Sequence, residues 1–228
     1  MAALPSGIWT VAGICSSRVY NLYRLFGLLS LLVLFQLLQL PAASANDSPR
    51  SAVQSMTEQI IAILQNPAYK DPEHRQEQIS KIRAVALPHF DSRELARRTL
   101  GTHWRDRTEA QRTEFIELFI TLVEKTYSSA LDRYSQNTQF LFDREHLEGT
   151  HAEVDSRIIS PALDKTFSLN YRLHSVNGQW LIYDVVIENI SMVRNYRTQF
   201  NHIINKSSYE SLVQSIQSKL KQLSASSS

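Results

Sequence analysis

Cysteine and glycine are scarce in this sequence, which has one cysteine and six glycines among 228 residues. A single cysteine excludes an intrachain disulfide framework. The sequence has no phosphate-binding loop, no dinucleotide fingerprint and no G-x-S-x-G elbow, so nucleotide binding and serine-hydrolase chemistry are not predicted. The seven histidines also lack the H-x-H or H-x-x-x-H spacing of metal sites. We therefore expect neither a metal nor any other cofactor.

Acidic residues are absent from the first 45 positions, which contain two cations, Arg18 and Arg24. An apolar run at 25–40 follows these cations, and small residues occupy positions 43 and 45. A basic segment, an apolar run and an A-x-A site are typical of a secretory signal peptide. We predict cleavage after Ala45. An uncleaved membrane anchor is the alternative, although this run is shorter than the roughly 20 residues of a spanning helix.

The rest of the chain has no excess of charge. The whole sequence has 24 basic and 22 acidic residues, so removing the two leader arginines leaves 22 of each and a net charge of zero. This balance does not favour a polyanionic partner, and nucleic-acid binding is not predicted. Cys15 precedes the apolar run, whereas a lipidated cysteine would follow it. We divide the chain into a signal peptide at 1–45, one domain at 46–223 and a flexible tail at 224–228.

The spacing of apolar residues changes from helical to strand-like near residue 138. Capping boxes at Asp91 and Thr108 begin two of the predicted helices, and Asn177-Gly178 is a strong hairpin signal. The predicted helices are at about 52–64, 72–86, 92–100, 108–134, 190–205 and 208–222, and the strands at about 138–147, 152–160, 165–176 and 179–188. The sequence thus predicts an α+β fold, in which N-terminal and C-terminal helices cover a four-stranded antiparallel meander.

The last predicted strand is apolar on both faces. A two-residue turn at Asn177-Gly178 would place Asp184 opposite Tyr171 on one face, with Val185 and Ile187 on the other. We expect this strand to be covered on both sides, with its second face forming either core or the wall of an apolar cavity. Asp184 beside Tyr171 could act as a base and an oxyanion donor in an enzyme. A structural aspartate hydrogen-bonded by its neighbours is the simpler interpretation.

Arginines are interspersed with apolar residues in two segments. RELARRTLGTHWRDRT places Arg97 and Arg98 among leucines and a tryptophan, and MVRNYRTQF places Arg194 and Arg197 beside an apolar helical face. One interpretation is a solvated surface whose arginine stems cover apolar groups. The other is a cationic rim at the mouth of an apolar pocket. Such a rim suits an anionic amphiphile, because arginine pairs bidentately with phosphate.

These segments resemble the MlaC family, also called toluene-tolerance auxiliary proteins. The resemblance covers roughly residues 51–223 of this sequence. One departure from the family pattern is Asn189, which stands where the family usually has glycine. The matching residues are Leu100-Gly101 with Trp104, Gln111-Arg112 with Phe115 and Phe119, Trp180 with Asp184, and Ser191 through Asn195-Tyr196-Arg197 to Phe200.

The resemblance implies a soluble periplasmic phospholipid carrier rather than an enzyme. Its partners would be an outer-membrane lipoprotein–porin complex and an inner-membrane ABC transporter with its substrate-binding-domain protein, and its role would be to maintain outer-membrane lipid asymmetry. It also implies a fold that is NTF2-like in part and encloses an apolar cavity for acyl chains. We expect a head-group rim of Arg97, Arg98, Arg194 and Arg197. The expected lipid-binding residues are Leu95, Leu100, Trp104, Phe115, Phe119, Leu122, Val185, Ile187, Met192, Val193, Tyr196 and Phe200.

Overall fold

Helices precede and follow a single antiparallel sheet in the computed structural model, which describes residues 48–131 and 138–225. The predicted signal peptide lies outside the described residues. The helices are α1 Pro49–Gln65, α2 Arg75–Ala86, α3 Ser92–Leu100, α4 Glu109–Leu131, α5 Met192–Lys206 and α6 Tyr209–Ala225. The strands are β1 Gln139–Glu148, β2 His151–Ser160, β3 Lys165–Val176, β4 Gln179–Ile187 and β5 Ile190–Ser191.

The predicted helix starts follow from side-chain caps. The Asp91 carboxylate accepts a hydrogen bond from the Glu94 backbone N–H at 2.8 Å. Thr108 and Gln111 cap each other, with donor–acceptor distances of 3.0 and 3.2 Å. These bonds satisfy backbone donors that have no partner within the helix. At the other end of the chain, α6 continues to Ala225, two residues into the segment predicted as a tail. Within the described part of the chain, no helix is long and apolar enough to cross a membrane.

The sheet has five strands in the order β1-β2-β3-β4-β5, all antiparallel, so the prediction of four strands was one short. The additional strand, β5, is two residues long and pairs Ile190 with Ile187. A two-residue turn connects β4 to β5, and both of its residues, Glu188 and Asn189, have positive φ angles of 48° and 63°. The sequence did not predict this short hairpin, because two residues are too few to show the alternation of apolar and polar side chains that marks a strand.

The β3–β4 hairpin begins with the predicted register, since Val176 pairs with Gln179. A β-bulge then adds one residue to β4, so that Leu173 pairs with Ile182 but Arg172 pairs with Asp184. Because of this extra residue, the side chains of β4 after the bulge lie on the face of the sheet opposite to the one predicted. The predicted pairing of Asp184 with Tyr171 was therefore wrong.

Two apolar clusters form the core and meet near β4. The sheet-side cluster joins α1 to strands β2, β3 and β4, and its buried members are Val53, Met56, Ala152, Val154, Tyr171, Leu173 and Ile182. The helix-side cluster joins α3, α4, α5 and α6. Phe90 and Val185 pack against both clusters. Ile182 and Val186 are both buried, and they pair with Leu173 and Asn170 on opposite faces of β3, so β4 is covered on both sides, as the sequence predicted.

Candidate functional site

An apolar cavity of about 230 Å³ lies between α2, α3, α4 and the start of α5. Helix α2 and the turn after it supply about half of its wall, and α4 supplies most of the rest. Apolar side chains dominate the surface, with one arginine and one glutamate among them. The lining residues are Ile79, Ile82, Arg83, Ala86, Leu87, Phe90, Leu95, Ile120, Val123, Glu124, Tyr127, Ser128 and Met192.

Helix α2 leaves space beneath it because none of its apolar side chains is fully buried, although Val85 packs against the sheet-side cluster. Gln78 is its one buried residue, whereas Ile79 and Ile82 face the cavity. Polar contacts hold α2 to α4 instead, since Arg75 donates a hydrogen bond to the Ser128 carbonyl at 3.1 Å. An apolar helical stripe left without a packed partner is typical of a wall that another apolar group covers.

An ion pair between Arg83 of α2 and Glu124 of α4 lies in the cavity wall. The pair connects the two helices, and its side chains are 41% and 28% exposed. Arg83 also lines a neighbouring depression of about 430 Å³ on the outer side, together with Ser80, Ala84, Leu87 and Pro88. The sequence analysis missed this pair, because the two residues are 41 positions apart and neither belongs to an arginine-rich segment.

The predicted lipid-binding residues come together mainly in the helix-side cluster. Ten of the twelve are buried there, Val185 packs against it, and Ile187 is half-buried on β4. Leu95 and Met192 also line the cavity. The buried ten are Leu95, Leu100, Trp104, Phe115, Phe119, Leu122, Met192, Val193, Tyr196 and Phe200. Contact of these residues with lipid stays a prediction.

Four of these residues form an aromatic stack rather than a cavity wall. Phe119 contacts the rings of Phe115, Tyr196 and Phe200 at centroid distances of 5.8, 5.1 and 5.6 Å. Phe115 and Phe119 are 0% exposed. Rings at these distances fill the space between α4 and α5 with the packing of a protein interior. None of these four residues lines the cavity.

The predicted arginine rim does not line the apolar cavity. Arg97, Arg98 and Arg197 lie instead around a polar surface cleft of about 620 Å³, which shares no lining residue with the cavity. Leu95 faces the cavity, while Arg97 and Arg98 point elsewhere because successive helical residues lie on different faces of α3. Arg194 is exposed on α5 and is not part of this cleft.

Glu94 fixes two of the cleft arginines. Its carboxylate accepts hydrogen bonds from Arg97 Nε at 2.6 Å and from Arg98 Nε at 2.7 Å. The bond from Arg97 is the main cause that lowers the pKa of Glu94 to about 2, against the opposing effect of burial, with Arg98 adding to it. The Arg98 guanidinium lies 4.0 Å from the centre of the Tyr183 ring, and the Arg98 carbonyl accepts a hydrogen bond from Arg197 Nε at 2.6 Å. The cleft is thus a preformed basic surface.

Asp184 has a structural position at the start of α5. Its carboxylate accepts hydrogen bonds from the Ser191 hydroxyl at 2.6 Å and the Val193 backbone N–H at 3.0 Å. The Arg172 guanidinium lies at 3.4 Å and offsets the buried charge. Burial raises the pKa of the Tyr171 phenol, on the other face of the sheet, to about 12. The predicted catalytic pair of Asp184 and Tyr171 is therefore not assembled.

Two further observations bear on chemistry at the cavity. Among the described residues, no group of three or more histidine, cysteine or acidic side chains could hold a metal ion. The carboxylate in the cavity wall, Glu124, is paired with Arg83.

A sequence signal for the cavity did exist, because Ile79, Ile82 and Ala86 follow the i, i+3, i+7 spacing of one helical face.

This chain is similar to known proteins in both sequence and fold. The family model of the MlaC protein matches residues 54–218. The intermembrane phospholipid transport system binding protein MlaC of Haemophilus influenzae is 24% identical over 190 residues, which cover 79% of this chain and 86% of that protein. A solved structure of a phospholipid-binding protein from Ralstonia solanacearum, in complex with a phospholipid, superposes with a TM-score of 0.67. It is 21% identical, and the match covers 76% of this chain and 97% of that one.

Proposed function

Since this chain belongs to the MlaC family, we propose that it is a carrier that binds phospholipid with the acyl chains in the apolar cavity beneath α2. The observation that carries this proposal is the cavity wall, in which apolar residues of α2 and α4 face each other without filling the space between them. The names of the Haemophilus and Ralstonia proteins, which both refer to phospholipid, agree with it.

The energetics of extraction explain why the wall must be apolar. Each CH₂ group kept out of water is worth roughly 0.8 kcal/mol, so a 16-carbon chain exposed to water costs on the order of 12 kcal/mol. A carrier removes lipid from a membrane only if its cavity replaces nearly all of that protection. The ion pair at the cavity edge leaves the apolar surface largely intact, because its two charges are paired and partly exposed.

The cavity must widen to hold a phospholipid. Its volume of about 230 Å³ is below the roughly 300–1,000 Å³ of sites for drug-sized ligands, and a phospholipid is larger than those. Helix α2 is the wall most able to move, since it buries little of its own surface. Leu95 and Met192 belong to both the cavity and the helix-side cluster. A wider cavity would therefore extend into that cluster, toward the predicted lipid-binding residues Phe119 and Leu122.

We also propose that the carrier works in the periplasm without catalysing a reaction. It would exchange lipid with an outer-membrane lipoprotein–porin complex and with an inner-membrane ABC transporter through its substrate-binding-domain protein, and so maintain outer-membrane lipid asymmetry. Support for this finer proposal comes from membership of the family and from the predicted signal peptide.

Native mass spectrometry tests the binding proposal. We expect the protein, secreted and purified without detergent, to carry extra mass that dissociates as intact phospholipid. Delipidated protein should regain that mass from phospholipid vesicles. A protein that copurifies without lipid and takes up none from vesicles would contradict the proposal.

A further inference from the structure

Arg83 lies where the apolar cavity meets a depression that is open to solvent. The apolar cavity is on one side, and the solvent-open depression of about 430 Å³ is on the other. Arg83 and Leu87 line both spaces. A phospholipid has apolar chains that are sheltered from water in a carrier, joined to a charged head group that favours contact with water. The boundary between its two parts would therefore fall at the position of Arg83.

Arg83 is also the arginine among the residues that line the cavity. The arginines of the α3–α5 cleft line no part of the cavity, and two of them are held by Glu94. A lipid whose chains occupy the cavity would have its phosphate closer to Arg83 than to those residues. Arginine is suited to this contact, because its planar guanidinium donates two parallel hydrogen bonds to phosphate oxygens.

Glu124, the ion-pair partner of Arg83, would have to separate from it when a lipid enters. Glu124 lies on α4, across the cavity from α2, so separating the two helices to admit a lipid breaks this ion pair. A lipid phosphate can then replace the carboxylate as the anion beside Arg83. Glu124 is already 28% exposed, and it can turn toward water rather than remain buried without a partner.

We propose that Arg83 binds the phosphate of the carried lipid, and that Glu124 occupies the same guanidinium when the cavity is empty. This inference rests on the proposed function and adds a specificity-determining residue to it. The exchange of one anion for another suits a carrier, since Glu124 competes with the lipid and makes release reversible.

The test compares two lipids that differ in the head group. Delipidated protein is incubated with vesicles of phosphatidylcholine that contain equal amounts of dioleoyl phosphatidylglycerol and dioleoylglycerol. The bound lipids are then quantified by mass spectrometry. We expect the wild type to prefer phosphatidylglycerol, and Arg83→Gln to reduce that preference roughly three- to tenfold, the size expected for one charge-assisted hydrogen bond at a partly exposed site. Circular dichroism confirms that the variant is folded.

Two further variants complete the design. Arg98→Gln removes an arginine of the cleft and should leave the preference unchanged. Glu124→Gln removes the competing anion and should raise the preference for phosphatidylglycerol. This variant tests the inference even if Arg83→Gln does not fold. The inference is overturned if Arg83→Gln keeps the wild-type preference, if Arg98→Gln reduces it equally, or if Glu124→Gln does not raise it. If the wild type takes up no lipid at all, phosphatidylcholine included, the proposed function itself fails.

Discussion

Two acidic residues, Asp184 and Glu94, organise the groups around them. Asp184 is 3% exposed and accepts hydrogen bonds from the first turn of α5. Glu94 holds Arg97 and Arg98 in place. A buried carboxylate without such donors would be costly, so the number of its partners indicates whether it is structural. By that measure both acids are structural.

We predict that Asp184→Asn keeps lipid occupancy within a few-fold of wild type while it lowers stability by about 2 kcal/mol. Asparagine can replace part of the hydrogen bonding, but it loses the charge that assists those bonds and faces Arg172. Chemical denaturation measures the stability, and mass spectrometry measures the lipid. Loss of lipid with unchanged stability would contradict a structural role.

Glu94 gives a prediction about pH. Its pKa falls from 4.5 in the unfolded chain to about 2 in the folded protein, so its stabilising effect is complete above pH 4.5 and is lost as pH falls through 2. Because its arginine partners are partly exposed to solvent, we expect an effect of about 1 kcal/mol. Denaturation of wild type and Glu94→Gln should differ by this amount at pH 6, and the curves should converge near pH 2. A constant difference across that range would exclude the carboxylate as the cause.

At the scale of elements, the turn from β4 to β5 decides how α5 begins. Glu188 and Asn189 both have left-handed backbone conformations, which glycine adopts freely and which asparagine tolerates better than most residues. This geometry explains why asparagine can replace the glycine usual in the family. The departure noted in the sequence therefore leaves the turn intact.

This turn geometry predicts that two substitutions of Asn189 differ in their effect on stability. Asn189→Gly should change stability by less than about 0.5 kcal/mol, whereas Asn189→Val should lower it by about 1–2 kcal/mol, because a β-branched residue is strained at positive φ. Thermal unfolding of the pair measures the difference. Equal stabilities would mean that the turn adopts another conformation in solution.

Two apolar side chains, Ile82 of α2 and Phe119 of α4, also differ in what they face. Ile82 lines the cavity, whereas Phe119 is enclosed by three other rings. Ile82 is only half-buried, so a charge there can reach water, but a charge at the fully buried Phe119 would be trapped in the core.

Ile82→Asp should therefore empty the cavity of lipid while the fold is retained. Phe119→Asp should lower stability by at least the roughly 3–5 kcal/mol that loss of a buried phenylalanine ring costs. Lipid content by mass spectrometry and unfolding by denaturant separate the two effects. A lipid-loaded Ile82→Asp variant would place the acyl chains somewhere other than beneath α2.

For the whole molecule, processing follows from the predicted signal peptide. We expect the secreted protein to begin at or near Asn46, because signal peptidase cleaves after small residues such as Ala43 and Ala45. N-terminal sequencing of the secreted protein measures this. Retention of residues 25–40 would instead support the membrane anchor.

The sequence by itself determined the α+β class, most element boundaries, the hairpin at Asn177-Gly178 and the coverage of β4 on both sides. These features depend on local spacing, turn residues and caps, whose physical effects act over a few residues. The residues that carry the family resemblance also lie in short segments, so the sequence was enough to suggest the family.

Only the tertiary structure decided the position of the cavity, the separate location of the arginine cleft and the true partners of Asp184. The bulge in β4 arises from the fit between strands and leaves no local signal in the sequence. An apolar helical stripe looks the same whether it faces core or cavity, because periodicity reports which face avoids water and not what covers it. Arg83 and Glu124 meet only because α2 and α4 pack side by side, and that is a property of the fold.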